Sequence, residues 1–163
     1  MNIKTLVVNA VIAALYVAVS LVLLIFPPLA YSNIQFRIPE IFNHLVVFNK
    51  KYFAGIVVGV FLTNIFSVTG TMDLLFGVGH SALSLGITIL LGRYIKNQVT
   101  LMVMNTLVFT FNMFIIAFEL YLVLHLPFLL SWLTTAAGEL VIMAIGIPIM
   151  YALNKKVHFS NLI

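Results

Sequence analysis

The chain has 163 residues, 63% hydrophobic and only 7% charged, with a mean hydropathy of +1.20 and a formal charge of +4. Eight basic and four acidic residues cannot cover a water-facing surface, which excludes a soluble globular domain and equally a disordered chain. The composition is that of an all-α, polytopic membrane protein, expected as a single transmembrane domain over residues 1–163.

Six apolar segments follow one another. The first, about Thr5 to Phe26, stops at Pro27-Pro28 and is too long for a typical signal-peptide core, so nothing looks like a cleaved leader. Along it Ala10, Ala14 and Ala18 recur every four residues, a smooth strip that admits close approach of another helix, either within the protein or from a partner. The second runs from about Ile38 to Phe48, with Pro39 suited to its first turn. The third runs from Tyr52 to Ser67, with Gly55 and Gly59 forming a small-residue strip read as internal packing. The fourth spans Met72 to Tyr94, the fifth Val99 to Leu124 and the sixth Phe128 to Leu153.

The second and third segments fall short of the roughly 20 residues of a full crossing, so five or six spans fit the hydropathy. Loop charge chooses six. Lys4, Lys50, Lys51, Arg93, Lys96, Lys155 and Lys156 then share one side with both termini, and only Arg37 lies on the other. That bias expects cytoplasmic termini in the cell membrane, and it attributes the net positive charge to inner loops rather than to nucleic-acid binding.

The sequence contains no cysteine, no phosphate-binding G-x-x-x-x-G-K-[ST] loop, no H-E-x-x-H and no G-x-S-x-G. Its four histidines stand on different segments without metal-ligand spacing. No enzyme chemistry, metal site or cofactor is therefore indicated.

What remains is polar chemistry inside the membrane. The acids Glu40, Asp73, Glu119 and Glu139 all fall in the outer half. Glu139 is the deepest, roughly 15 Å below the outer end of its span. Ionisable groups at such depth face a cavity or a partner. Asn105, Asn112 and Glu119 share a face of the fifth span. Asp73, Gly77, His80, Ser81, Ser84 and Thr88 share one of the fourth, and Thr135, Glu139 and Gly146 one of the sixth. Asn64 and Ser67 close the outer part of the third. Asn105, Ser84 and Thr88 read as interhelical glue. Glu139 is the first choice for a ligand-reading carboxylate, with Asn112 and Glu119 facing it and Asp73 on the rim. His80 reads as packing or as a ligand contact. Arg37 is expected to pair with Glu40, three residues on, and to hold the loop from Tyr31 to Phe36 over the site. Glu40 itself is expected nearer water. Tyr31, Phe36 and Trp132 are candidates for ring stacking or for the interfacial aromatic belt.

Several pieces then fall in a family order: Ile34-Gln35-Phe36-Arg37 with Glu40, Gly55-x3-Gly59-x-Phe61-x2-Asn64, Asp73-x2-Phe76-Gly77, Glu119-Leu120-Tyr121, Pro127-Phe128 and Gly138-Glu139. The ordered set resembles the QueT family, substrate-binding S components of energy-coupling factor (ECF) transporters. The resemblance implies a bundle of six transmembrane helices that captures a small heterocyclic nutrient from outside. It implies assembly with a membrane coupling subunit (T component) and two ATPase subunits, docking through Ala10, Ala14 and Ala18. The family name implies a queuosine precursor, a deazaguanine; hydroxymethylpyrimidine and pyridoxine are the alternatives. Gln35 and Phe36 join the site residues on the same ground. A stand-alone ion- or proton-coupled carrier, with the acids as relay groups, is the reading from another class.

Overall fold

The computed structural model of the chain describes residues 2–24, 37–66 and 71–163; every regular element among them is helical. Helix α1 is Ile3–Leu24, opened by Asn2, whose side chain accepts from the Thr5 N–H at 2.8 Å. A 3-10 helix, Ile38–His44, runs directly into the single α-turn α2, Leu45–Phe48. A second 3-10 turn, Lys50–Tyr52, leads into α3, Phe53–Ile65. The fourth segment is α4, Thr71–Leu91. The fifth is two helices, α5 (Gln98–Asn112) and α6 (Phe114–Leu124), and the sixth is α7, Phe128–Val157, followed by α8, Phe159–Leu162.

Among the described residues four stretches are long and apolar enough to cross a bilayer: 3–22, 71–91, 98–124 and 128–157. Segments 38–48 and 53–65 are shorter. The sequence assumes an α-helix for the former. The 3-10 form rises about 2.0 Å per residue against 1.5 Å, so it carries the same residues several ångström further.

Helices α1 and α3 pack in parallel. Asn9 Oδ1 accepts from the Gly55 N–H at 2.9 Å, and Thr63 Oγ1 lies 3.3 Å from Ser20 Oγ further along. Gly55 and Gly59 make this approach possible: a Cβ on Gly55 would stand 2.6 Å from Asn9 Oδ1, and one on Gly59 2.8 Å from Tyr16 Cβ. The small-residue strip of the third segment is thus internal packing, as its spacing implies. Ala10, Ala14 and Ala18 lie on the opposite, exposed side of α1.

One end of the bundle is basic. Lys4 Nζ reaches the Asn161 carbonyl, Asn49 Nδ2 those of Ser160 and Ile163, and the Tyr52 hydroxyl that of Phe159 at 2.8 Å. The start of α1, the Asn49 turn and α8 therefore meet, and the Gly92–Gln98 connection lies beside the same turn. The interior gathers polar groups beside a hydrophobic core that includes Tyr52, Ile56, Phe109 and Met143, while the exterior is apolar. Glu40, His44, His80, Asn105 and Glu139 are fully buried, while Leu75, Phe111, Leu129 and Leu133 are exposed. In lipid that is the stable arrangement.

Candidate functional site

The 3-10 helix builds the core of the site. With about three residues per turn, positions i, i+3 and i+6 stand directly above one another. Arg37, Glu40 and Asn43 form such a ladder: the Arg37 guanidinium lies 3.5 Å from the Glu40 carboxylate, and Asn43 Nδ2 donates to the other Glu40 oxygen. The Arg37–Glu40 pair is the one the spacing predicts. Glu40 is not the water-facing acid it was expected to be, since its exposure is 0%. Arg37 and Asn43 flank it, and the Tyr16 hydroxyl donates to it from α1. Tyr16 and Asn43 are members that sequence reasoning missed. The three-residue step from Glu40 to Asn43 was the available signal; nothing in the sequence brings Tyr16 to Glu40.

Glu139 faces this ladder from α7. It is completely buried, within electrostatic reach of Glu40 and Arg37, and neither carboxylate oxygen has a hydrogen-bond partner among the described residues. His80 approaches from α4, also fully buried and within reach of Arg37. Its Nε2 lies 3.3 Å from the Phe109 carbonyl. A carbonyl only accepts, so Nε2 carries the proton and Nδ1, unpaired among the described residues, is left as an acceptor. The packing reading of His80 is thus met by its bond to Phe109, and its Nδ1 remains available as an acceptor.

The Phe109 carbonyl is open because the fifth segment breaks at Met113. There the N–H turns to the Thr110 carbonyl, 3.4 Å away, instead of reaching back four residues to Phe109. Trp132 Nε1 uses a second carbonyl at this break, that of Phe111, at 3.1 Å. The Trp132 ring packs among Phe111, Phe114 and Phe128. No proline or glycine announces the break, and the sequence reading had one continuous span. The shared face survives it: Asn105, Asn112 and Glu119 are all buried.

Other expected residues have mixed placements. Asn64 Nδ2 donates to the Asp73 carbonyl at 2.9 Å and packs on Gly77, fixing the start of α4 to the end of α3. Asp73, in the first turn of α4, adds its field at Arg37. Asn112 Nδ2 donates to Ser84 Oγ at 2.9 Å. Glu119 is buried on α6, which packs on α7. Gln35, Phe36, Tyr31 and Ser67 lie outside the described residues.

Below the ladder a polar brace crosses the bundle. Thr88 Oγ1 donates to Asn105 Oδ1 at 2.6 Å, and Asn105 Nδ2 reaches the Asn43 carbonyl at 3.3 Å and His44 Nδ1 at 3.2 Å. His44 Nε2 meets the Met143 carbonyl at 2.9 Å, so His44 is the neutral Nε2–H tautomer. Asn105, Thr88 and Ser84 are the glue the sequence suggested, each such bond being worth about 0.6–2 kcal/mol.

A multi-pass bundle whose buried polar cluster includes a carboxylate without a hydrogen bond among the described residues has the design of a membrane protein that takes a polar solute into its span, a transport protein. The comparisons agree. The QueT transporter family matches residues 6–155, and the chain belongs to that family. It is 35% identical over 162 residues to the queuosine precursor transporter QueT of Lactococcus lactis subsp. cremoris (strain MG1363), covering 93% of each chain. No solved structure gives a significant match.

Proposed function

We propose that this chain is the substrate-binding S component of an ECF-type importer and that it captures a queuosine precursor, a deazaguanine, from outside the cell. The observation that carries the reading is Glu139: a fully buried carboxylate, unpaired among the described residues, beside Arg37. A guanine-like base presents an amidine edge with two parallel N–H donors next to a ring carbonyl. Glu139 accepts the two donors in a charge-assisted, directional pair, and the Arg37 guanidinium answers the carbonyl. His80 Nδ1 is a further acceptor. The similarity to the Lactococcus lactis protein supports the same ligand class.

On this reading the chain crosses the cell membrane six times with both termini cytoplasmic. The gathering of seven of the eight Lys and Arg at one end and the parallel packing of α1 and α3 both support it. The exposed Ala10, Ala14 and Ala18 surface faces the coupling subunit, and two ATPases drive release inside. Cysteines at Asn49 and Asn97 then label only from the cytoplasm, and one at Ser32 only from outside.

The deciding experiment is titration of the purified protein with a deazaguanine base, hydroxymethylpyrimidine and pyridoxine, followed by uptake with and without the coupling subunit and ATPases. Tight binding of the deazaguanine alone, and uptake only with the ATPases, is the expected result. Preference for either other ring reassigns the substrate. Uptake without ATPases establishes a stand-alone carrier instead.

A further inference from the structure

At the basic end, on the far side of the Thr88–Asn105 brace from the ladder, lies a cavity of about 410 Å³ that the ligand reading above does not use. It opens between the Val46–Lys50 stretch and the connection from α4 to α5. Val46, Leu101 and Thr88, all buried, form its floor, and exposed Lys50, Arg93 and Lys96 stand on its rim. No acidic residue lines it. None of the chain's four acidic side chains, Glu40, Asp73, Glu119 and Glu139, is among the residues that line it, so the lining offers the three cations no carboxylate side chain. The start of α5 opens into the same space and adds its positive dipole end.

Depth identifies the occupant. The apolar stretches 71–91 and 98–124 meet at this connection, so the rim lies where the hydrocarbon ends and headgroups begin. A soluble anion has no use for the apolar Val46 and Leu101 side of the floor, and a zwitterionic headgroup brings its own ammonium against the rim. We propose that the cavity is a binding site for one anionic phospholipid, its phosphate among Lys50, Arg93 and Lys96 and its glycerol and first acyl carbons against Val46 and Leu101. Basic pockets between membrane helices are suited to such lipids, and each cation near the headgroup contributes about a five-fold gain in affinity. Lys4, Lys155 and Lys156 lie at the same end but not on this rim. They separate a built site from general attraction to a charged membrane.

The test uses the intact protein, delipidated in a neutral detergent. Dioleoylphosphatidylglycerol, dioleoylphosphatidylcholine and inorganic phosphate are titrated separately, with thermal unfolding and native mass spectrometry as readouts. Phosphatidylglycerol should bind at one copy and raise Tm, and the other two should not. K50Q/R93Q/K96Q should weaken phosphatidylglycerol binding on the order of 100-fold, and Arg93→Gln alone about five-fold, with lipid-free Tm unchanged. K4Q/K155Q/K156Q should bind as the unaltered protein does. Equal loss in both triple variants overturns the proposal, as does equal binding of phosphatidylcholine. Saturation by inorganic phosphate makes the cavity a free-anion site. If phosphatidylglycerol is ignored while Lys50, Arg93 and Lys96 are needed to retain the coupling subunit, the cavity belongs to an acidic protein surface. Should the triple variant unfold, the Arg93→Gln titration decides alone: an unchanged affinity refutes the site.

Discussion

Asn43 donates to the Glu40 carboxylate from one turn further along the same 3-10 helix. With Arg37 on the preceding turn, Glu40 is held from both sides, whereas Glu139 opposite it has no hydrogen bond among the described residues. Two carboxylates in one cluster thus differ: Glu40 is a structural hub, and Glu139, without a hydrogen bond among the described residues, is the acceptor proposed for the ligand.

Substitution should separate them. Glu40→Gln breaks a buried charge pair and removes the ion-pair partner of Arg37, which should destabilise the protein by about 3–5 kcal/mol. Glu139→Gln replaces a buried carboxyl group that has no hydrogen bond among the described residues, so Tm should hold or rise. Ligand affinity should instead fall by on the order of 2–5 kcal/mol, about 30-fold to several thousand-fold. Thermal melting and ligand titration of both variants check this. Unaltered affinity in a folded Glu139→Gln protein removes Glu139 from the site.

His80 offers a second separation. His80→Leu leaves the Phe109 carbonyl bare and should cost about 1–3 kcal/mol of stability. His80→Gln supplies an amide donor again and should recover most of that. If His80 also contacts ligand through Nδ1, the leucine variant binds more weakly even well below its melting temperature. A leucine variant with unaltered Tm contradicts the bracing role.

The glycines give a paired control. Gly55→Ala drives a methyl into Asn9, with its Cβ 2.6 Å from Oδ1 and 2.7 Å from the backbone oxygen, and should destabilise by about 1–3 kcal/mol. Gly79 sits in the middle of α4 with nothing within 4 Å of a built Cβ. Gly79→Ala should be neutral or mildly stabilising. Equal Tm values for the two variants count against the parallel α1–α3 contact.

Ala14→Trp tests coupling. The side chain lies on the exposed face of α1, so the change should leave ligand binding by the isolated protein within about two-fold while abolishing uptake with the coupling subunit and ATPases. Lost binding instead assigns the alanine strip to the protein's own packing.

Much of this architecture is legible from hydropathy, because in lipid an apolar run long enough to span must be helical. The apolar segments expected from the sequence coincide with the helices to within a few residues. Glu139, His80 and the face of Asn105, Asn112 and Glu119 are buried as their helical spacing requires. The misses have one cause. An α-helical period was assumed throughout, and composition does not distinguish a 3-10 helix over Ile38–His44 or a lost turn at Met113. Both alter which residue faces which. The first aligns Arg37, Glu40 and Asn43 and lets Tyr16 cover an acid that hydropathy left at the water's edge. The second gives His80 its carbonyl.

That lost turn makes the form of one helix conditional on another. Hydrocarbon does not tolerate a naked carbonyl, and side chains from elsewhere, His80 on α4 and Trp132 on α7, take up what the break in the fifth segment releases. If a bound molecule drew the His80 ring away, Phe109 would regain its partner most simply by closing the helix at Met113. The segment carrying Glu119 would then rewind as one piece with Asn112. The ring proposed above as a ligand contact thereby also holds the carbonyl that the break at Met113 releases.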